Sequence, residues 1–439
     1  MELPAGFKEY LLRTMREEVV EELTEGLQGT PSVSIRLNPA RTGNMSNGNG
    51  TEILIEGADG QVPWCKEGIY LKERPVFTAD PLLHAGCYYV QEASSMFLSH
   101  VIRHLCLRPR MVLDLCAAPG GKSTLLRSLL PDESLLVCNE PIRTRCQVLA
   151  ENMSKWGHHN VIVTQAYPKE IGHFIGAFDC ILADVPCSGE GMMRKEAEAV
   201  AQWSPALVEE CAARQREIVT DIWPALKPGG TLIYSTCTFN SCEDEENVEW
   251  IARELGAEVI SIPVDQGWGI LGDLRPDGSL PCCHFLPGRV RGEGFFCAVL
   301  KKDGAQRNDG FIGSKNTPTT DSLKHKLCTW PTDRLDQPSD IQGKHVRVQA
   351  EIPMSELTLG DAFRYLRGES LTLPSSLPRG FVKVCYGGNR LGLVKNLGTR
   401  ANNLYPKEWR IHSSRIEPHS IIKLEAQKCT ASVPQTEEC

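Results

Sequence analysis

The sequence predicts an α/β fold: a mostly parallel sheet flanked by helices, preceded by a small α+β domain and followed by a β-rich module. Three observations carry this. Residues 111–302 alternate short apolar runs with helical patterns, the signature of βαβ units and a parallel sheet. The first of those runs passes into a Gly-Gly turn that opens a helix. The chain has 439 residues, too many for one compact unit at about 100–200 residues per domain.

The elements follow in order. FKEYLLRTMREEVVEELTEGL has apolar residues near helical spacing and predicts one helix, ended at Gly29-Thr30-Pro31. The strand-like SVSIRLNP, the loop TGNMSNGNGTE, the strand-like GIYLKERP and the segment around Tyr88-Tyr89-Val90-Gln91 complete an N-terminal domain over 1–110. MVLDLC, SLLVCNE, NVIVTQA, FDCILADVP, TLIYSTCT and FFCAVLKK supply the strands of the domain over 111–302. Between them PIRTRCQVLAENMSKWG predicts a helix, with Pro141 at its start and Gly157 at its end. Residues 303–345 are polar and read as a linker or long insertion. GFVKVCYGG and RLGLVKN, joined by a Gly-Gly-Asn turn, mark a β-rich module within 346–428. Residues 429–439 read as a polar tail.

The formal net charge is −8, which by itself argues against one continuous basic binding surface. The charge is polarised along the chain. Residues 111–300 carry 15 bases against 26 acids, whereas residues 360–428 carry 12 bases against five acids. A basic C-terminal module therefore sits beside an acidic central domain. No stretch approaches the roughly 18 apolar residues of a membrane span. The N-terminus carries acids where a secretory signal has an apolar run. Cytoplasmic residence is expected, and the 18 cysteines are expected to be reduced. None are spaced C-x-x-C, and the group Cys282, Cys283, His284 and Cys297 reads as incidental; no metal is expected.

The most informative segment is Asp114-Leu-Cys-Ala-Ala-Pro-Gly-Gly-Lys122-Ser. Gly120 and Gly121 let a ligand approach the backbone, and a helix N-terminus attracts a carboxylate or phosphate. The pattern is neither a Walker loop nor G-x-G-x-x-G. Glu140 ends the second strand, where an acid can accept both hydroxyls of a ribose. Together these point to a nucleoside cofactor. Asp184 ends the fourth strand at the ligand crevice, where it can bind an amine or a protonated ring nitrogen. Cys187 follows it, and Cys237 ends the next strand, so the topology brings both thiols to one rim of the sheet. A thiolate there is a nucleophile. Ser241-x-x-Asp244 reads as a capping box before an acidic first helical turn.

CAAPGGKS, DVPCSGEGMMRK and YSTCTFN, in this order and spacing, resemble the RNA cytosine-C5 methyltransferases. The flanks resemble the bacterial 16S ribosomal RNA branch of that family (RsmF-like). SIRLNP, VPWC and YYVQEASSM match its N-terminal region; FVKVCYGGNRLGLVKN and NNLYPKEWRI match its PUA-like RNA-binding module. The resemblance implies a class I methyltransferase (Rossmann-like) fold, S-adenosylmethionine as cofactor and cytosine in RNA as substrate. It implies that Cys116, Ala117, Ala118, Pro119, Gly120, Gly121 and Lys122 hold the methionine part of the cofactor. Glu140 would hold its ribose, with Arg145 on the helix beside it. It makes Cys237 the nucleophile at C6 of cytosine, gives product release to Cys187, and sets Asp184 against the N3/N4 edge of the base while also counting it among the cofactor-binding residues. Gln165 stands where the family usually has Asp or Asn against adenine, and Pro287-Gly288 stands where it has Pro-His.

Ribosomal RNA, naked or within a small-subunit particle, is the expected partner, and a monomer the expected state. Arg194 and Lys195 near the cleft, and Arg364, Arg367, Lys383, Arg390, Lys395, Arg400 and Lys407 in the module, are the expected RNA contacts. Three alternatives differ in what they leave unexplained. A transfer RNA substrate keeps the same chemistry. A DNA cytosine methylase would use Cys187 and leave Cys237 without a role. A non-catalytic assembly factor would need neither complete motif.

Overall fold

A computed structural model describes residues 2–43, 54–106, 108–304, 327–330, 332, 335, 352–413 and 415–423. Most of the loop expected around 42–52, most of the linker and the tail lie outside these residues. The catalytic-type sheet is built as the apolar runs require. Met111–Asp114, Leu135–Asn139, Val161–Gln165, Phe178–Asp184 and Leu226–Thr236 are its parallel strands. All of these except the bulged entry to the last strand are almost wholly buried, because helices cover both faces. Across the sheet the order runs Val161–Gln165, Leu135–Asn139, Met111–Asp114, Phe178–Asp184, Leu226–Thr236. Chain direction around the sheet therefore reverses between Met111–Asp114 and Phe178–Asp184, and ligands bind at such a switch point. The Cys116–Lys122 loop and Asp184 both emerge there.

Antiparallel strands extend both edges. Phe295–Lys302 pairs with Leu226–Thr236, and both Ala257–Ile260 and Cys283–Phe285 pair with Phe295–Lys302. At the other edge Cys328–Trp330, inside the segment expected to be a linker, pairs with Val161–Gln165. Two apolar clusters fill the spaces above and below the sheet. The helix Arg143–Trp156 ends at Gly157, which adopts φ 75°, as expected of a glycine stop. Pro141 lies one residue before the N-cap, Ile142, rather than in the first turn.

The N-terminal segment departs from a single helix. It forms Phe7–Leu11 and Glu17–Gly26, separated by a turn in which Arg16 is extended. The break lets Phe7, Leu11, Met15, Val19, Val20 and Leu23 converge on one apolar cluster with Met193, Trp203 and Phe239. One straight helix could not bring both halves onto that site. The N-terminal sheet runs Ala58–Gln61, Gly68–Leu71, Val33–Leu37, Tyr88–Val90. Arg36, from its third strand, is buried and joins this sheet to the central domain. Its Nε donates to Gln91 Oε1 at 2.7 Å, its Nη2 donates to Thr124 Oγ1 at 2.6 Å, and the guanidinium lies 4.6 Å over the Trp156 ring.

The C-terminal module holds Met354–Glu356, Gly380–Tyr386, Asn389–Asn396 and Ala401–Asn403 in one sheet, with the helix Leu359–Leu366 packed on it. Tyr386 pairs with Asn389, so Gly387 and Gly388 form the two-residue turn, at φ 59° and 71°. Those angles are the glycine-favoured values of a tight hairpin. The module shares its core with the N-terminal domain: Ile35, Phe77, Leu82 and Tyr88 pack in one cluster with Tyr365, Val382 and Trp409. Ile422–Lys423 pairs antiparallel with Leu54–Ile55. Among the described residues no helix is long and apolar enough to cross a membrane.

Candidate active site

The loop after Met111–Asp114 turns at Gly120, which takes φ 114° and serves as N-cap of the helix Gly121–Leu129. Only glycine adopts that conformation without strain. The loop is fixed from below: Ala117 N donates to Asn139 O at 2.8 Å, and Ser123 Oγ donates to Asp114 Oδ2 at 2.6 Å. Burial pushes the Asp114 carboxyl up to about 7, opposed by the Ser123 hydrogen bond. Cys116 is likewise held above its ordinary range by burial and then by the nearby carboxylates of Asp184, Asp114 and Glu140, so its thiol stays neutral.

Glu140 leaves the end of Leu135–Asn139 with its side chain 2% exposed. Its Oε1 accepts from Ile142 N at 2.9 Å, and its Oε2 lies 3.5 Å from Arg145 Nη1. Arg145 Nη2 donates to Ala118 O at 3.2 Å and so ties the helix to the cofactor-type loop. Gln165 ends its strand at the same rim, with Nε2 donating to Pro141 O at 3.3 Å. The expected loop and strand-end residues, Cys116 through Lys122, Glu140, Arg145 and Gln165, therefore line one rim of the sheet. A helix N-terminus there suits a carboxylate, and an acceptor at the second strand end suits a ribose; the donor set fits S-adenosylmethionine.

Asp184 is the hinge between this loop and the cysteines. Lys122 Nζ donates to its Oδ2 at 2.8 Å, and Ser235 Oγ donates to its Oδ1 at 2.7 Å. Burial pulls the Lys122 ammonium down, but the Asp184 charge and hydrogen bond, with Cys237 beside them, outweigh it and hold it above its ordinary range. Cys187 Sγ and Cys237 Sγ are 3.0 Å apart. The Cys187 thiol is held well above the usual range, first by that contact and then by burial. The Cys187 thiol is thus held in its neutral form, in hydrogen-bond contact with the Cys237 sulfur. The chain passes close behind them: Gly191 N donates to Cys237 O at 2.6 Å, and a Cβ on Gly191 would lie 2.5 Å from that oxygen. Any larger residue would push the Cys237 backbone away.

The capping-box reading of 241–244 does not survive. The helix runs Glu245–Leu255, its N-cap Asp244 makes no side-chain cap bond, and Ser241 Oγ donates instead to Glu246 Oε1 at 3.1 Å. Asp244 turns inward, and its Oδ1 accepts from Thr236 Oγ1 at 2.6 Å and Thr238 Oγ1 at 3.1 Å, on both sides of Cys237. Glu190 and Glu243 are also fully buried beside the cysteine loops. Sequence reasoning missed all three: Glu243 and Asp244 because an acid-rich stretch before a helix ordinarily faces solvent, and Glu190 because its partners lie in the other cysteine loop. The available signal was Glu190, set directly between Gly189 and Gly191 inside the Pro-Cys motif.

The group Cys282, Cys283, His284 and Cys297 splits by strand alternation. Cys283 pairs in register with Cys297, and both enter the core. Cys282 and His284 end beside Glu245, with one donor atom from each of the three within 4.8 Å. His284 Nε2 lies 3.0 Å from Glu245 Oε1, which also accepts from Leu274 N.

The expected RNA contacts divide into two sets. Arg194 is 7% exposed; its Nε donates to Glu293 Oε2 at 2.8 Å and its other nitrogens to Gly26 O and Gly292 O. It locks the N-terminal helices to the central domain and is therefore an internal joint, not the phosphate contact expected from sequence. Lys195 shares Glu293 at 3.3 Å. Arg390 donates to Ser154 O and lies at the joint with the helix Arg143–Trp156. Arg364 pairs with Asp361 and Glu369, and Arg367 with Glu369. Lys383 is half-buried, and Lys395, Arg400 and Lys407 are exposed.

Residues 106–301 match the family model described as 16S rRNA methyltransferase RsmB/F. Residues 355–411 match the RsmF PUA domain, and residues 3–93 match the N-terminal domain of 16S rRNA methyltransferase RsmF. The ribosomal RNA small subunit methyltransferase F of Klebsiella pneumoniae is 31% identical over 403 residues, 79% of this chain and 84% of that protein. The protein of the same name from Escherichia coli K12 is 31% identical over 409 residues, with the same coverage. Among solved structures, a methyltransferase homolog from Pyrococcus horikoshii superposes with a TM-score of 0.53 at 25% identity, covering 68% of this chain and all of that one. The NSun6 of Pyrococcus horikoshii, solved with SFG, shares the fold at a TM-score of 0.55 and 19% identity, over 68% of this chain and 98% of its own. With all three domain models matched in order and relatives aligned over most of both chains, this chain belongs to the RsmB/F family of 16S rRNA methyltransferases.

Proposed function

We propose that this protein methylates C5 of a cytosine in 16S ribosomal RNA, as a cytoplasmic monomer, through a covalent bond between Cys237 Sγ and C6 of the base. The observation that carries the reading is the pair of strand-end thiols 3.0 Å apart, beside an Asp184 that is itself ion-paired to the cofactor-type loop. It is supported by the aligned homologues from Klebsiella pneumoniae and Escherichia coli, which are ribosomal RNA small subunit methyltransferases F.

The chemistry explains the residues. C5 of cytosine is a poor nucleophile until a thiolate adds at C6 and turns the C5–C6 bond into an enamine. Asp184, holding the N3/N4 edge, stabilises the proton that makes C6 electrophilic. Lys122 keeps Asp184 in place and supplies positive charge near the Cys237 thiolate. S-adenosylmethionine, when bound, supplies the methyl group as an electrophilic sulfonium. The loop from Cys116 to Lys122 would orient its methionine part, Glu140 its ribose and Gln165 its adenine, while Arg145 steadies the loop through Ala118. After transfer, a base removes the C5 proton, either water or Cys187 once it has given up its own proton, and the C6–S bond to Cys237 breaks. The base must leave its stack to reach this rim.

Two experiments test the assignment. Bisulfite sequencing of ribosomal and transfer RNA from a deletion strain is expected to show loss at one or a few 16S positions with transfer RNA unchanged. Loss confined to transfer RNA would overturn the substrate. The module's part in RNA binding is best tested without deleting it, since removal of its share of the common core would expose Ile35, Phe77 and Tyr88. Replacing Lys395, Arg400 and Lys407 together by glutamine is expected to flatten the slope of log K against log salt by about two, at roughly 0.7–0.9 per phosphate contact. S-adenosylmethionine titration should be unaffected, and an unchanged salt slope would remove these three residues from the interface.

A further inference from the structure

The two loops that carry the cysteines are joined by buried carboxylates in a reciprocal pattern. Glu190, three residues beyond Cys187, reaches across to the other loop: its Oε2 accepts from the backbone N–H of Phe239 at 2.8 Å and of Asn240 at 3.2 Å. Glu243, six residues beyond Cys237, reaches back: its Oε2 accepts from the backbone N–H of Ser188 at 3.0 Å. Each loop thus donates the main chain next to its cysteine to an acid from the other loop. Both acids are fully buried, and both have further partners that fix the carboxylate plane. Trp203 Nε1 donates to Glu190 Oε1 at 3.0 Å, and Gln215 Nε2 donates to Glu243 Oε2 at 2.7 Å.

We infer that Glu190 and Glu243 are positioning residues that set the separation of the Cys187 and Cys237 thiols, and that turnover depends on where their oxygens sit. The inference rests on the two-cysteine reading above. Neither acid is placed at the reacting atoms, so each acts through the main chain it holds. Burying two carboxylates side by side is unfavourable unless their acceptor positions are needed. Burial, then the neighbouring Glu243, pushes the Glu190 carboxyl up to about 7. A proton held there leaves the acceptor geometry intact. What the clamp supplies is acceptor oxygens at the Phe239 and Asn240 N–H groups, so oxygen position, rather than full negative charge, is its requirement.

That distinction gives the test. Glu190→Asp keeps the charge and withdraws the oxygens by one carbon. Glu190→Gln combined with Trp203→Phe keeps an oxygen for Phe239 and Asn240 and removes the donor that the amide could not satisfy. With RNA substrate, Glu190→Asp is expected to lower kcat by about 10²-fold, the scale of an ångström of misplacement, with the dissociation constant for S-adenosylmethionine unchanged. The double variant is expected to stay within about fivefold of the parent, less than 1 kcal/mol at 1.36 kcal/mol per tenfold. Wild-type kcat in Glu190→Asp would overturn the inference. So would a double variant that falls as far as Glu190→Asp, because charge would then be the requirement. Loss of S-adenosylmethionine binding in Glu190→Asp would also overturn it, by showing a general structural role. Cys237→Ala in the same assay separates the two levels. Turnover surviving in Cys237→Ala breaks the covalent reading; turnover lost there but untouched in Glu190→Asp breaks only the clamp.

Discussion

Replacing Cys237 with alanine is expected to abolish methyl transfer, while replacing Cys187 with alanine is expected to leave a stable protein–RNA adduct. The two sulfurs lie 3.0 Å apart, yet their surroundings differ. Cys237 sits beside Lys122, and Cys187 keeps its proton through its contact with Cys237 and its burial. Without Cys237 nothing adds at C6, and the uncatalysed reactivity of C5 is all that remains. Without Cys187 addition and methyl transfer proceed, but loss of the C5 proton slows and the C6–S bond persists. The adduct is read as a slow band on a denaturing gel with radiolabelled RNA. Adduct formation that persists in Cys237→Ala and vanishes in Cys187→Ala would reverse the two roles.

What the sequence made legible was local. A strand followed at once by Gly-Gly and a helix places its loop at the sheet rim, whatever packs around it, so the Cys116–Lys122 loop could be located from spacing. Glu140, Asp184 and Cys237 were legible for the same reason, being strand-end residues whose position follows from the βαβ rule. Arg194 was misplaced because its partner Glu293 is 99 residues away. A local window shows a basic Arg-Lys pair and cannot show that a buried acid awaits one member. Glu243 and Asp244 failed in the opposite direction. Acids ahead of a helix fit the dipole so well that solvent exposure followed by default, whereas their partners are Ser188, in the loop after the strand Phe178–Asp184, and Thr236, at the end of the strand leading into this segment. The shared core of the two flanking domains was invisible for a related reason. Each domain has a plausible apolar face of its own, and only the fold shows that the faces cover each other.

The second large effect is expected at Asp184. Asp184→Asn preserves the shape of the side chain and its contact with Ser235, but it removes the charge that Lys122 pairs with and the group able to share a proton with N3. Two losses follow. The Lys122 ammonium is left part-buried without its partner, and breaking a buried pair from one side is more harmful than removing both members. C6 also loses the activation that makes thiolate addition feasible; general acid–base contributions of this kind run to about 10²–10⁴-fold. The expected result is a fall in kcat of that order, with S-adenosylmethionine still bound, since Glu140 and the Gly120–Gly121 turn are untouched. Lys122→Met is the complementary variant and should weaken cofactor binding as well, because Lys122 belongs to the loop itself. The pair of titrations distinguishes the roles. If Asp184→Asn weakened cofactor binding as much as Lys122→Met while single-turnover rates at saturating cofactor stayed at the parent level, Asp184 would serve the cofactor alone. The proton at N3 would then need another holder.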